Sequence, residues 1–367
     1  MAIVLRTSSR TRTRCHRGVP RLALAASSLA AWLLLATLCG AAKLTTRFTA
    51  PSDGSVRIIR SGEPPLRVDW LLSSKSIVGA RFVDERYSDQ SVFGIFTLLG
   101  SLEHLQPTPR RALLVGLGSG ATATRWRAAG IATDVVELSA GVVEAAEQLG
   151  FVRDRRTHVA DAAVFLAARP PQAPEQRYDL IVHDVWSGSN AGRELFGRPL
   201  LARLRSEWLR SSGVLALNFV GYHSPSKSAD AATAFKLSAL VAANLRAVFE
   251  RVRCYREVPL SHAANATNIV CVCSQRQWKL QVPEPTDPEV QSRPLHSDMI
   301  AARWQRWEVL TERELAEHRE TCASDRDERE AMAPEAAEAE EAEAFAKSGA
   351  IVERELRETV EQLLPGI

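Results

Sequence analysis

Cysteine is scarce in this chain and poorly spaced for metal binding. None of the six cysteines among its 367 residues forms a CxxC pair or a Cys/His cluster at zinc spacing, so no metal site is expected. No internal repeat is present, which argues against solenoid and propeller architectures. The central part lacks a basic patch with interleaved aromatic residues, and nucleic acid is not an expected partner. Acidic residues are absent before Asp53, whereas Arg6, Arg10, Arg12, Arg14, Arg17 and Arg21 crowd the start. An Ala/Glu run at 333–345 offsets them, so the net charge of +3 averages two opposite ends.

That asymmetry divides the chain. Residues 1–21 are a basic leader. Residues 22–42, LALAASSLAAWLLLATLCGAA, carry no charge and have about the twenty residues that a helix needs to cross a bilayer. A single-pass anchor is the favoured reading, with the arginines keeping the N-terminus cytosolic and the remainder across the membrane. A cleaved signal peptide, suggested by Gly40-Ala41-Ala42, and an organelle transit peptide, suggested by the Arg/Ser-rich start, stay open. Asn265-Ala266-Thr267 is a glycosylation sequon that suits a lumenal domain of the secretory pathway. Residues 55–105 read as a small β-subdomain, with short strands at 56–60, 67–72 and 77–84 and then a helix over 85–105. Residues 106–285 alternate strand and helix, with helices at 193–210 and 229–249. This pattern predicts a mostly parallel sheet covered on both faces. An antiparallel hairpin of 251–255 and 268–274 closes one edge. Residues 286–367 form a charged tail, helical or disordered, with high helix propensity and little apolar periodicity.

The most informative stretch is 112–184. An apolar strand at 112–115 runs into the turn Gly116-Leu117-Gly118-Ser119-Gly120, a helix follows, and a second strand at 133–136 ends on Glu137. A βαβ unit of this shape binds a nucleoside. Gly116 and Gly118 permit a tight turn close to a ligand, and the helix beginning near Gly120 directs amide groups at it. Glu137 stands about twenty residues beyond the turn, where a carboxylate can accept from both ribose hydroxyls. Asp161 precedes a helix at 162–168, and Asp184 ends the apolar strand Tyr178–His183. All three acids fall at carboxyl ends of strands, where open α/β sheets bind ligands. Nothing resembles a second mononucleotide half or a nicotinamide pocket, which argues against a dinucleotide.

The order GLGSG, VVELSAGVVEAA, VADAAVFL, YDLIVHDVWSG and LFGRPLLARLRSEWLRSSGVLALNFVGY resembles the spermidine/spermine synthase-like family of the class I methyltransferase superfamily, over about residues 56–274. It is closest to divergent, membrane-associated members. The resemblance implies an α/β, Rossmann-like class I methyltransferase fold with a mostly parallel, doubly wound sheet and a small N-terminal β-subdomain. To these the chain adds an N-terminal transmembrane helix and a helical acidic C-terminal tail. The cofactor it implies is S-adenosylmethionine or its decarboxylated form, held by Gly116, Gly118, Gly120, Glu137, Leu138, Asp161, Ala162 and Asp184. Asp161 would meet the adenine amine, and Asp184 would be the catalytic residue beside the acceptor. The acceptor would be a small-molecule amine or a protein, polyamine biosynthesis being the family's setting. A homodimer is one assembly this allows.

The departures matter. Aminopropyltransferases of the family carry a D-x-x-D loop whose second aspartate helps to deprotonate the attacking amine. Here it is Asp184-Val185-Trp186-Ser187, and a serine hydroxyl is far too weak a base without an activating partner. No acid follows before Glu194, although a polycation would want several. Methyl transfer depends mainly on positioning, and the missing carboxylate favours it over aminopropyl transfer. A third reading is a catalytically silent scaffold. His183 should point to the opposite strand face from Asp184, as a core histidine. Asn218, Tyr222 and His223, at the end of a strand over 214–219, could border the acceptor pocket. Trp186 reads as a wall or lid, and Tyr87 and Gln90 match cofactor-lining positions only loosely. Cys271 and Cys273 share a strand face and cannot readily pair with each other. Buried free thiols are expected, with Cys254 pairing to one of them as the alternative in an oxidising compartment.

Overall fold

The computed structural model describes residues 44–62, 67–74, 76–84, 92–168, 170, 171, 173–185, 193–223, 229–257, 266–281 and 308–321, with a few positions between 343 and 354. The leader, the apolar run at 22–42, the sequon Asn265, the 85–91 part of the expected helix and most of the tail lie outside them. Among the described residues no helix is long and apolar enough to cross a membrane.

The described residues open with an antiparallel sheet of four strands in sequence order: β1 (Thr45–Thr49), β2 (Val56–Ser61), β3 (Val68–Ser73) and β4 (Ser76–Phe82). It starts one strand earlier than the sequence pattern suggests. Helix α1 (Gly94–Ser101) is shorter than the expected 85–105 helix at its C-terminal end. Leu105 instead joins β5 (Leu105–Gln106), which pairs with β13 (Lys279–Leu280).

The main sheet follows as β6 (Arg111–Val115), α2 (Ala121–Ala128), β7 (Ala132–Glu137), α3 (Ala140–Gln148), β8 (Thr157–Val159), α4 (Ala162–Ala168) and β9 (Tyr178–His183). It continues with α5 (Arg198–Arg203), β10 (Leu209–Tyr222), α6 (Ala229–Val248), β11 (Arg251–Arg256), β12 (Ala266–Ser274), β14 (Glu308–Val309) and α7 (Glu312–Thr321). The strand order is β14-β11-β12-β10-β9-β6-β7-β8. Strands β8, β7, β6, β9 and β10 are parallel neighbours, and β12 runs antiparallel to both β10 and β11. This is a mixed α/β, Rossmann-like fold with a mostly parallel central sheet. Chain order reverses between β6 and β9, which puts the topological switch point there.

Alternation along β6 explains the layers. Leu113 and Val115 point into a core formed with Leu166 of α4, Leu201 of α5 and Phe235, Val241 and Leu245 of α6. Ala112 and Leu114 point the other way, to Leu98 and Leu99 of α1, Trp126 of α2 and Val143 of α3. Full burial of one such leucine contributes about 1.5–3 kcal/mol. The outer side of α3, through Val142, Ala145 and Leu149, packs on Val56, Ile58 and Leu71, which seats the N-terminal sheet on the nucleotide half.

Three segments differ from the sequence expectation. The helix expected over 193–210 is a 3-10 turn (Arg193–Leu195), then α5, then a wide turn (Leu204–Trp208) that delivers Leu209 into β10. Gly197 has extended backbone at the α5 N-cap, and Pro199 is tolerated there because a first-turn residue needs no N–H partner. The β11–β12 hairpin is antiparallel as expected, but its outer edge is covered by β14. That strand and Leu310 and Leu315 beyond it join the core, so residues 308–315 belong to the packed sheet although their composition matches the charged tail. Finally, Cys254 and Cys271 are directly paired in register and form a disulfide, whereas Cys273 is a buried free thiol. The free-thiol expectation is corrected for the first two, because antiparallel register places them opposite each other.

Candidate active site

The crevice at the switch point is built from the carboxyl ends of β6, β7, β9 and β10. Gly116 leaves β6 with φ of +92°, and a Cβ there would collide with the carbonyl oxygen of Asp184. Gly118 has φ of +54°, and its Cβ would lie 2.7 Å from the carbonyl oxygen of Val78 in β4. Both glycines therefore make room for the protein's own backbone, a requirement added to the ligand approach inferred from sequence. Gly120 is the N-cap of α2.

Glu137, at the end of β7, holds this turn in place. Its Oε2 accepts from the Leu117 amide at 2.9 Å and its Oε1 from the Ser139 amide at 3.0 Å. Burial pushes its pKa up, against the lowering effect of those backbone donors. A carboxylate has about four lone-pair sites, so lone pairs remain for hydroxyl donors. Leu138, next along, is 65% exposed, and Val164 on α4 is 67% exposed. Both side chains stand largely uncovered. Asp161 is exposed, and its Oδ1 caps α4 by accepting from the Ala163 amide at 2.7 Å and the Val164 amide at 3.1 Å. Ala162 is half-buried at the start of that helix. Parallel register sets Glu137 opposite Val159, so Leu138 and Asp161 leave adjacent strand ends.

Asp184 is tied to β6 by its amide, which donates to the Val115 carbonyl at 2.8 Å. Its Oδ1 accepts from Asn218 Nδ2 at 2.8 Å. Burial raises its pKa to about 6, with the Asn218 hydrogen bond opposing the rise and the Glu137 charge adding to it. A carboxylate with that pKa is ionised at neutral pH yet close enough to it to exchange a proton efficiently.

Asn218 opens a polar line that the sequence reading missed. Its Nδ2 also approaches Asn268 Oδ1 at 3.5 Å, and Asn268 Nδ2 donates to Glu257 Oε2 at 2.9 Å. Glu257 Oε1 in turn accepts from the Gly94 amide at the start of α1, at 2.9 Å. Burial pushes the Glu257 pKa up while these donors oppose it. Neither Asn268 nor Glu257 lies in a motif. They meet because antiparallel pairing of β11 with β12 brings residue 257 beside residue 268 across an eleven-residue gap, where the Glu257 amide donates to the Asn268 carbonyl at 2.8 Å.

His183 is fully buried, edge-on to Phe196 with ring centroids 5.3 Å apart, and burial depresses its pKa to about 4. It is on the face opposite Asp184, in the core. Tyr222 is also buried, and His223 is half-buried with a pKa depressed to about 4 by burial and the Arg256 charge. Trp186, Ser187, Tyr87 and Gln90 lie outside the described residues. The glycine turn, Glu137, Asp184 and Asn218 thus converge on one crevice, and Leu138, Asp161 and Ala162 form its neighbouring rim. A separate cavity of about 400 Å³ lies at the opposite end of the sheet, lined by Arg246, Arg251, Arg253, Glu250, Glu312 and Trp278. Arg253 there is engaged by Glu308.

No protein-family model matches the chain. Over 240 residues it is 26% identical to a curated protein of Emericella nidulans named N-terminal histidine N-methyltransferase, across 61% of this chain and 41% of that one. The chain therefore spans less than half the length of that curated relative. Among solved structures it is similar to a probable spermidine synthase from Corynebacterium glutamicum, with a TM-score of 0.48 and 14% identity over 68% of this chain and 84% of that one. It is also similar to human methyltransferase-like protein 13 in complex with SAH, with a TM-score of 0.37 and 23% identity over 56% of this chain and 88% of that one. In sequence, the chain thus resembles a curated methyltransferase.

Proposed function

We propose that this protein is an S-adenosylmethionine-dependent transferase that methylates a nitrogen of a histidine-bearing acceptor. The observation that carries this is the pairing of a glycine turn braced by Glu137 with the Asp184 carboxylate, held by Asn218, at the switch point. The residues present fit the cofactor. Glu137 retains lone pairs for ribose hydroxyls beside the glycine turn, Leu138 offers an uncovered apolar surface to a purine, and Asp161 at the next strand end can accept from an exocyclic amine. When bound, S-adenosylmethionine supplies an electrophilic methyl group, so that a nitrogen–carbon bond forms as the carbon–sulfur bond breaks and sulfur keeps the electron pair.

The chain's own residues do the rest. Asp184 and Asn218 orient the acceptor, which is the larger part of the task in such a displacement. A neutral imidazole carries a lone pair on one nitrogen and an N–H on the other. Donation of that N–H to Asp184 raises the nucleophilicity of the ring, and the carboxylate offsets the positive charge that the ring acquires. Asp184 or water then takes the proton. No second carboxylate is needed, which agrees with serine at position 187. Aminopropyl transfer to a polyamine would call for that base and for further acids, and none stands between Asp184 and Glu194. The named relative supports histidine as the acceptor.

The setting belongs to the same proposal. The uncharged run at 22–42 would tether the protein, and the Cys254–Cys271 disulfide suits an oxidising lumen. The test is incubation of the full chain with S-adenosylmethionine and a peptide beginning with histidine, followed by mass spectrometry. One added methyl group on the histidine is expected. Transfer only to a polyamine, and only from the decarboxylated cofactor, would overturn the assignment.

A further inference from the structure

The polar line from α1 to Asp184 has a direction. Both oxygens of the buried Glu257 accept, one from the Gly94 amide and one from Asn268 Nδ2. Asn268 must therefore turn its carbonyl oxygen toward Asn218. Asn218 answers with its NH₂ group, which it shares between Asn268 Oδ1 and Asp184 Oδ1. Its own Oδ1 is left buried with no hydrogen-bond partner among the described residues, and the residue is only 5% exposed. An orphaned buried acceptor costs about 1–3 kcal/mol. It stands beside a carboxyl in the crevice, where a donor from a ligand could relieve that cost.

We infer that the free Oδ1 of Asn218 and the carboxyl of Asp184 together form the docking point for the N–H of an imidazole acceptor. Glu257 is the positioning residue that sets both asparagine amides so that this oxygen stays free. This rests on the reading of the crevice as the acceptor side of a transferase. Asp184 and Asn218 Oδ1 both present acceptors at this point, so it favours N–H donors over carbonyls and ethers. Glu257 touches neither ligand nor cofactor and acts through two amides.

The polarity can be reversed and restored. In Glu257→Gln the new amide can still accept from Gly94, but it then presents NH₂ to Asn268. Asn268 must flip, Asn218 flips after it, and the free oxygen is used up while Asp184 loses its donor. Adding Asn268→Asp returns an acceptor-only group to face Asn218, so the double variant should recover the wild-type arrangement. Imidazole is titrated into the ¹⁵N-labelled full chain, with the Asn218 side-chain amide signals assigned from Asn218→Asp. Affinity should fall at least tenfold in Glu257→Gln and return in Glu257→Gln/Asn268→Asp. S-adenosylhomocysteine affinity should stay the same in all three. Asn218→Ala, which leaves Glu257 and Asn268 paired, should lose imidazole binding as fully. Equal imidazole affinity in the wild type and Glu257→Gln would overturn the inference, as would a double variant no better than the single one. Imidazole binding in the expected pattern without any methyl transfer would support the docking point and overturn the transferase reading.

Discussion

Replacing Asp184 by asparagine should stabilise the protein at pH 8 while removing its activity. Asp184 is held at a strand end by its own amide, and its carboxyl sits where burial and the Glu137 charge disfavour ionisation. Its pKa rises from 3.8 to about 6. The difference corresponds to about 3 kcal/mol between the two protonation states. For an acid whose folded pKa is raised, the folded state binds the extra proton. Stability is therefore lost as pH rises from about 4 to about 6 and stays reduced above that window. Asparagine keeps the hydrogen bond from Asn218 through its carbonyl oxygen and carries no charge. Urea denaturation of both proteins at pH 8 and pH 4 would read the effect as a change in the gap between them. The variant should be about 2–3 kcal/mol more stable at pH 8, with the advantage shrinking to near zero at pH 4. Equal stability differences at both pH values, or a less stable variant at pH 8, would refute the claim that a desolvated charge is kept here at the expense of stability.

Three further outcomes are expected. Gly118→Ala forces a left-handed residue against the Val78 carbonyl oxygen, and should cost about 2 kcal/mol or more, seen as a lower denaturation midpoint together with weaker S-adenosylmethionine binding. Glu137→Ala should weaken S-adenosylmethionine binding by about 1–3 kcal/mol, since it removes the ribose contact and frees the Leu117 amide; calorimetry showing unchanged affinity would make the acid purely structural. The Cys254–Cys271 disulfide closes a loop with a sequence separation of 17, so Cys254→Ser/Cys271→Ser should cost about 3 kcal/mol in denaturation experiments, and it should also loosen the ladder that carries Glu257 and Asn268.

Those predictions draw unequally on what the sequence reveals. The glycine turn, Glu137 and Asp184 are legible because each is a local event, a strand running into a turn or an acid at its end. The strand periodicity also exposes both faces of the sheet, since Leu113 and Leu114 enter separate cores. What stays hidden depends on register between distant segments. Asn268 joins the crevice through the β10–β12 pairing and Glu257 through β11–β12, and Cys254 meets Cys271 by the latter ladder. The return of residues 308–315 to the sheet is hidden for another reason. Two paired residues and two buried leucines are too few to stand out in a charged tail. The wide turn after α5 has no sequence signal beyond Gly197 and Pro199, which mark where the helix starts and not where it ends.

The most direct test of the central claim is calorimetric titration of the full chain with S-adenosylmethionine and with its decarboxylated form. Binding of S-adenosylmethionine, in preference to the decarboxylated form and lost or weakened in Glu137→Ala, is the expected result. Preference for the decarboxylated form would contradict methyl transfer, and failure to bind either would contradict the transferase itself.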